Sequence, residues 1–478
     1  MSLHLRLITP LKIALLSTSA LLVSACGGGG GSSSPGGGAF PAGGEARYDY
    51  PSAVDTSFGE AGYRVFSTGL PTRAYLGAFN PIHMATDSFG RIVIVGNRTS
   101  ATREAWLLRL NADGTPDTTC GDNGWVSWTT GGPANPYKVR VMPDGRYAVG
   151  GLLGVASIWM FKADCTQDTS WGNAGKANMP APTATEINGA LNDFDVASDG
   201  SIVATVANTL SGRLLVARFL PSGNVDTAFG TSGYISVAPA DNGSPKPGAI
   251  RFRPSGKILV AAAFTYSSQV GQLPGFAQLT STGQLDTSFG DRGFQIQNPG
   301  NNLVGLPKDM VLLPDGSAIQ VGLTQPGVIT GTVIGVDAYW MKVNLTGAPD
   351  TRMGPNGIKI WTAGPEGRNM STNYSTSVAL TSAGQVLTCQ NWTNNTEEAS
   401  TQTQAAPLQV LVSLMDMNGG FVSSFGIGGT ASLPRGNGFA ETCAALARTP
   451  DGHVLALLDY GPATNATGAT MAVVRATP

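Results

Sequence analysis

Residues 286–293 read "DTSFGDRG", and the fold is decided by the fact that the chain writes this phrase again and again. Copies stand at 55–62 ("DTSFGEAG"), 117–124 ("DTTCGDNG"), 168–175 ("DTSWGNAG"), 226–233 ("DTAFGTSG") and 350–357 ("DTRMGPNG"), with a worn copy at 423–429 ("SSFGIGG"). The phrase opens at Asp55, Asp117, Asp168, Asp226, Asp286 and Asp350, and Val422 takes that place in the worn copy. The spacings are 62, 51, 58, 60, 64 and 72. A fixed period of this length marks a repeat architecture.

Working outward from the phrase gives one unit. A short alternating strand follows it, as in "WVSWTT" (125–130) and "YISVA" (234–238). After a variable loop comes an apolar strand ending in a Gly turn, as in "IRFRPSG" (250–256) and "MVLLPDG" (310–316). The turn leads into a strand such as "KILVAAAF" (257–264), and after a second variable loop a last strand, such as "LLVARF" (214–219), runs into the next phrase. "DSFG" at 87–90 imitates the phrase, but its register makes it the Gly turn before "RIVIVG". Four strands in about sixty residues cannot bury a core alone, so units must stack face to face. The predicted fold is all-β: a seven-bladed β-propeller of four-stranded antiparallel blades.

The unit resembles the delta-60 repeat of bacterial surface and exported proteins, most clearly in "TSTGQLDTSFGDRGF" (280–294) and "LPDGSAIQVG" (313–322). The family is thought to form propellers and carries no general activity, so the resemblance implies fold more than function. Cys120, Trp171 and Met353 depart from it at the Phe position. The order of strands is also similar to NHL-type propellers, which implies that the strand before the Gly turn is innermost. The chain then begins on an outer strand (63–67) and ends on three inner ones. The N-terminal strand is expected to complete the C-terminal blade. The stretch 46–55 aligns with 217–226 and competes with the C-terminal "VVRATP" for one slot, which the C-terminal strand is expected to win.

The phrase itself reads as a joint. An Asp can accept from backbone N–H groups two or three residues on and lock a turn. A polar or basic residue stands eight positions earlier in several copies: Arg109, Arg218, Lys342 and Gln278, with Arg47 before Asp55. Pairing would tie strand to turn. Calcium is the alternative, but "DTAFGTSG" and "DTSFGEAG" lack the alternating oxygens such a site needs.

Composition narrows the function classes. Charged residues make up 13% of 478, the net charge is −2, and there are 64 Gly and 30 Pro. No field for steering nucleic acid follows from that balance. His4, His83 and His453 are the only histidines and no CxxC occurs, so neither a metal site nor a cofactor is expected. GxSxG, GxGxxG after a strand and HExxH are missing.

The N-terminus reads as an address. Arg6 and Lys12 precede the apolar run 13–23, which ends in "VSAC" (23–26). Ser24 and Ala25 before Cys26 resemble the lipobox of bacterial lipoproteins, which implies lipidation at Cys26; the alternative is an ordinary secretory signal. "GGGGGSSSPGGG" (27–38) is a flexible tether. The expected organisation is a signal peptide over 1–26, a tether over 27–45 and the propeller over 46–478. The expected location is the bacterial envelope, on the outer membrane, with the membrane engaged through the lipid.

Cys120, Cys165, Cys389 and Cys443 remain, an even number in a chain marked for export. Strand order places Cys389 near Cys443 and Cys120 near Cys165 on neighbouring blades. Either two disulfides or four buried thiols fit the sequence. The variable loops at 97–105, 264–275, 323–338, 391–408, 68–80, 180–192, 297–307 and 362–375 gather on one face. That face points to a binding scaffold for an envelope protein or glycan. The alternatives are an envelope- or polysaccharide-acting hydrolase or lyase using the same face, and a passive surface role.

Overall fold

The computed structural model describes residues 52–67, 83–98, 104–180, 189–208, 213–238, 245–265, 272–300, 303–326, 336–361, 371–394, 409–433, 440–461 and 470–476. Within them the chain forms seven four-stranded antiparallel sheets arranged as the blades of a β-propeller. Blade 1 runs outward through His83–Thr86, Ile92–Arg98, Glu104–Leu110 and Trp125–Thr129. The innermost strands of blades 2 to 7 are Ala134–Val141, Leu191–Val196, Lys246–Phe252, Leu303–Leu312, Ser371–Leu380 and Ala440–Arg448. Each packs beside the next, and the last packs beside His83–Thr86, which closes the ring.

The core is seven layers, one between each pair of adjacent blades. This explains the unbroken apolar runs: a strand covered on both faces has no solvent side to make polar. In "KILVAAAF" the alternate residues Val260, Ala262 and Phe264 pack toward blade 3. Leu259 and Ala261 pack toward blade 5. Trp106, Trp159 and Trp340 are buried as core.

Tyr63–Ser67 pairs antiparallel with Thr470–Ala476 and supplies the outer strand of blade 7. The C-terminal strand holds the third slot of that blade, for which 46–55 was the rival. Ser52–Asp55 runs alongside instead: Ala53 N–H donates to Ser432 O at 3.0 Å and Asp55 N–H to Arg475 O at 2.8 Å. Ring closure therefore uses both chain ends.

The repeated phrase is a joint between blades. In Asp286–Gly293 one carboxylate oxygen accepts from Ser288 N–H at 3.2 Å and Ser288 Oγ at 2.6 Å, fixing the turn. Gly290 holds φ +55°, and a Cβ there would lie 2.1 Å from Phe294 O, so no side chain fits. The aromatic plug of one phrase then lies on the Gly of the next blade's last turn. Phe229 covers Gly283 so closely that a Cβ would meet the ring at 2.8 Å. Phe58 on Gly114, Trp171 on Gly223, Phe289 on Gly347 and Met353 on Gly419 repeat the contact around the ring.

Candidate functional site

The phrase carboxylates are engaged by protein donors. Asp117 accepts from Thr119 N–H and Oγ1 with one oxygen and from Arg109 Nε at 2.8 Å with the other. Arg109 is itself buried and also reaches Thr119 Oγ1 and Tyr147 OH. Lys342 lies 2.8 Å from Asp350, Arg218 3.4 Å from Asp226 and Arg475 2.7 Å from Asp55. Arg47 lies outside the described residues. Blades 2 and 4 use a second source of charge that the sequence reading missed, the residue directly after the Gly turn. Arg146 pairs with Asp168 at 2.9 Å, and Lys257 joins Gln278 on Asp286, both at 2.7 Å. Its signal was the basic residue following Gly145 and Gly256.

Two disulfides bridge neighbouring blades: Cys120–Cys165 between blades 1 and 2, and Cys389–Cys443 between blades 6 and 7. Cys26, the signal peptide and the tether lie outside the described residues, as do most of the variable loops. Among the described residues no group of three His, Cys, Asp or Glu side chains could hold a metal ion. No helix among them is long and apolar enough to cross a membrane.

The richest chemistry lies on the channel wall, at a position seven residues before the Gly of each Gly turn. Blade by blade it holds His83, Lys138, Asp193, Ala249, Asp309, Ser377 and Ala445. In blades 2 to 7 a β-bulge directly precedes it. Such a bulge re-aims the following side chain. At four of these positions the side chain accepts a backbone N–H of the next blade. His83 Nδ1 accepts from Val139 N–H at 3.4 Å, and Asp193 Oδ2 from Ile250 N–H at 3.1 Å. Asp309 Oδ2 accepts from Val378 N–H at 3.2 Å, and Ser377 Oγ from Leu446 N–H at 3.0 Å.

Two arginines, each two residues further along its strand, link these acceptors. Arg140 Nη2 donates to Asp193 Oδ1 at 3.0 Å. Arg251 donates through Nη1 to Asp193 Oδ2 at 2.6 Å and through Nη2 to Asp309 Oδ1 at 2.7 Å. Asp309 also accepts Ser377 Oγ at 2.9 Å, so one polar belt runs from blade 2 to blade 7. Asp195 adds a parallel rung, accepting from Phe252 N–H at 2.8 Å.

Burial raises the Asp193 carboxyl, but the charges of Arg251, Arg140 and Lys138 outweigh it and hold the pKa at about 2. Burial, then Lys138, Arg140 and Arg251, pushes His83 well below its usual range. The ring is neutral, and because Nδ1 accepts from Val139, Nε2 carries the proton. Burial also lowers the Lys138 amine. Among the described residues the Lys138 amine makes no hydrogen bond or ion pair. Sequence reasoning missed this wall because its unit is a column of residues on seven blades, visible only with the bulges aligned. A separate cavity of about 530 Å³ lies at the rim between blades 1 and 2, lined by residues including Trp128, Trp159, Glu104 and Lys176.

The comparisons agree with the fold. A family described as "Domain of unknown function (DUF5122) beta-propeller" matches residues 90–119 and 253–289. No curated protein matches the chain. Among solved structures, the polysaccharide lyase Uly1 is similar at 10% identity and a TM-score of 0.50, over 85% of this chain and 92% of that one. A polysaccharide lyase PL25 ulvan lyase is similar at 9% identity and a TM-score of 0.50, over 86% and 96%. A Penicillium chrysogenum α-L-arabinanase is similar at 10% identity and a TM-score of 0.41, over 89% and 98%. For the two lyases, at such identities, the likeness is one of fold alone.

Proposed function

We propose that the protein is an extracytoplasmic binding scaffold of the bacterial envelope, tied to the outer membrane through a lipid on Cys26. Its ligand, an envelope glycan or protein, meets the channel wall from the face that the sequence assigns to the variable loops. One observation carries this reading. Seven blades share one backbone plan, yet the channel position holds an imidazole, an amine, two carboxylates, a hydroxyl and two methyls. A wheel selected only for rigidity has no need of that asymmetry, whereas a rigid ring with varied polar lining suits recognition. The two disulfides support export, since such bonds persist in oxidising compartments. The test is retention of full-length protein on immobilised envelope polysaccharides and envelope extracts. No retention on either contradicts the reading. Mass spectrometry of natively expressed protein checks the anchor: lipid on wild type and none on Cys26→Ala is expected.

A second reading is a polysaccharide lyase, the activity named for two of the similar structures. Lys138 favours it, as an amine whose proton is loosened by burial at a channel wall. His83 is not the base, because its one free nitrogen lone pair is taken by Val139 N–H. Incubation with acidic polysaccharides tests this: absence of unsaturated sugar products removes the reading.

A further inference from the structure

The acceptor rule on the channel wall is broken in one telling place. Ladder alternation turns the N–H of Ile250 away from its own second strand and toward blade 3, where Asp193 receives it. Phe194 holds the same place in blade 3, since Asp193 pairs with Thr205 as Ala249 pairs with Ala261. The residue that should accept from Phe194 N–H is Lys138, which has only protons to offer. The two other breaks are alanines, Ala249 and Ala445, which add no charge. Met310 N–H, facing Ala249, is taken by its own Asp309 at 2.9 Å.

Around Lys138 the carboxylates whose charges favour its ammonium, Asp309 and Asp193, are each engaged by several other donors. Asp193 serves Arg140, Arg251 and Ile250 N–H. Asp309 serves Arg251, Met310 N–H, Val378 N–H and Ser377. Asp195 serves Phe252 N–H. What remains on this stretch of wall is a Lys138 ammonium with no hydrogen bond and, by the ladder pattern, a Phe194 N–H with no acceptor, with the charges of Arg140 and Arg251 nearby. Lys138 is half-buried, so its ammonium gains from an acceptor supplied from the channel.

We propose that Lys138 and the Phe194 N–H, backed by Arg140, form a binding site for one oxyanion group in the channel between blades 2 and 3. Its ligand is a carboxylate, sulfate or phosphate, free in solution or carried by an acidic glycan. The site rests on the reading that the channel takes a ligand and names the chemistry of that ligand. An anion here completes the acceptor ring that the protein leaves open, and it gives the Lys138 ammonium a hydrogen-bonding partner.

The test is calorimetric titration of the full-length protein at low ionic strength with inorganic phosphate, with sulfate and with an oligogalacturonate. Wild type is expected to show one saturable site for at least one probe. Lys138→Asn supplies the missing acceptor and removes the charge, so it is expected to weaken binding at least tenfold while thermal stability holds or rises. Lys138→Met, with similar length and no charge, serves if Lys138→Asn fails to fold. Binding of a free ion identifies the source as solution, and binding of oligogalacturonate alone identifies it as glycan. Either supports the site. No saturable binding of any probe by wild type overturns it. Oligogalacturonate binding that persists undiminished in the variant also overturns it, and leaves the binding-scaffold reading standing.

Discussion

Cys120 and Cys165 occupy the two positions that an aromatic plug and a glycine occupy at other blade junctions. Cys120 stands three residues after Asp117, where Phe58, Phe229 and Phe289 stand after theirs. Cys165 stands three residues before Asp168, in the place of Gly223 and Gly283, and keeps a glycine-like φ of +69°. Between blades 1 and 2 a covalent bond thus replaces the ring-on-glycine contact. A non-Gly residue in that conformation costs stability that the bridge must offset.

Replacing both cysteines by Ala should therefore lower the melting temperature by several degrees. The bridge closes a separation of 45 residues, for which chain entropy suggests about 4 kcal/mol. The pair Cys120→Phe with Cys165→Gly should recover part of the loss, because it writes the contact used elsewhere in the ring. Scanning calorimetry of the three proteins checks this, and equal melting of the Ala and Phe/Gly pairs would refute the equivalence.

Lys257 and Gln278 divide between them the task that Arg109 performs alone in blade 1. Lys257→Ala should destabilise by about 1 kcal/mol, a modest figure because the lysine is partly exposed. Adding Gln278→Arg should restore stability by supplying the charge from the other strand. Urea titration of the single and double variants reads the rescue directly.

Acid should loosen the channel belt in two stages. His83 is held neutral in the folded protein, so only the unfolded chain gains a proton as pH falls below about 6.5, and stability declines from there. Asp193 is held ionised, its folded pKa near 2 lying below the ordinary value of 3.8. Its contribution, on the order of 2 kcal/mol, is present above pH 4 and lost as pH falls toward 2. His83→Gln, which keeps an acceptor for Val139, should flatten the first stage and leave the second. Asp193→Asn should be strongly destabilised at pH 7, because Arg140 and Arg251 lose their shared anion. Denaturation curves across pH 2–8 test both.

Deleting 46–68 should remove the partner of Thr470–Ala476 and the clamp from Asp55 to Arg475. An open sheet edge invites association and early fraying. Loss of a single cooperative melting transition is expected in calorimetry, with self-association in ultracentrifugation. Wild-type melting by the deletion protein would show that closure needs only the C-terminal strand.

The period of the phrase, the Gly turns and the four apolar runs per unit determined the fold by themselves. Each is a local rule: an Asp locks its turn, a Gly permits its φ, and a doubly covered strand must be apolar. The neighbourhood of the cysteines followed as well, since blade order fixes which turns are adjacent. Tertiary structure alone decided what lies between blades. The sequence reading found Arg109, Lys342 and Gln278 eight residues before their Asp, and it passed over Arg146 and Lys257, which reach theirs across strands. The channel wall was hidden for the same reason. His83, Asp193, Asp309 and Ser377 are separated by 110, 116 and 68 residues in the chain, and each accepts from a backbone group that has no sequence of its own. A hydrogen bond to an N–H is specified by where a bulge points a side chain. That direction exists only once neighbouring blades have closed the ring.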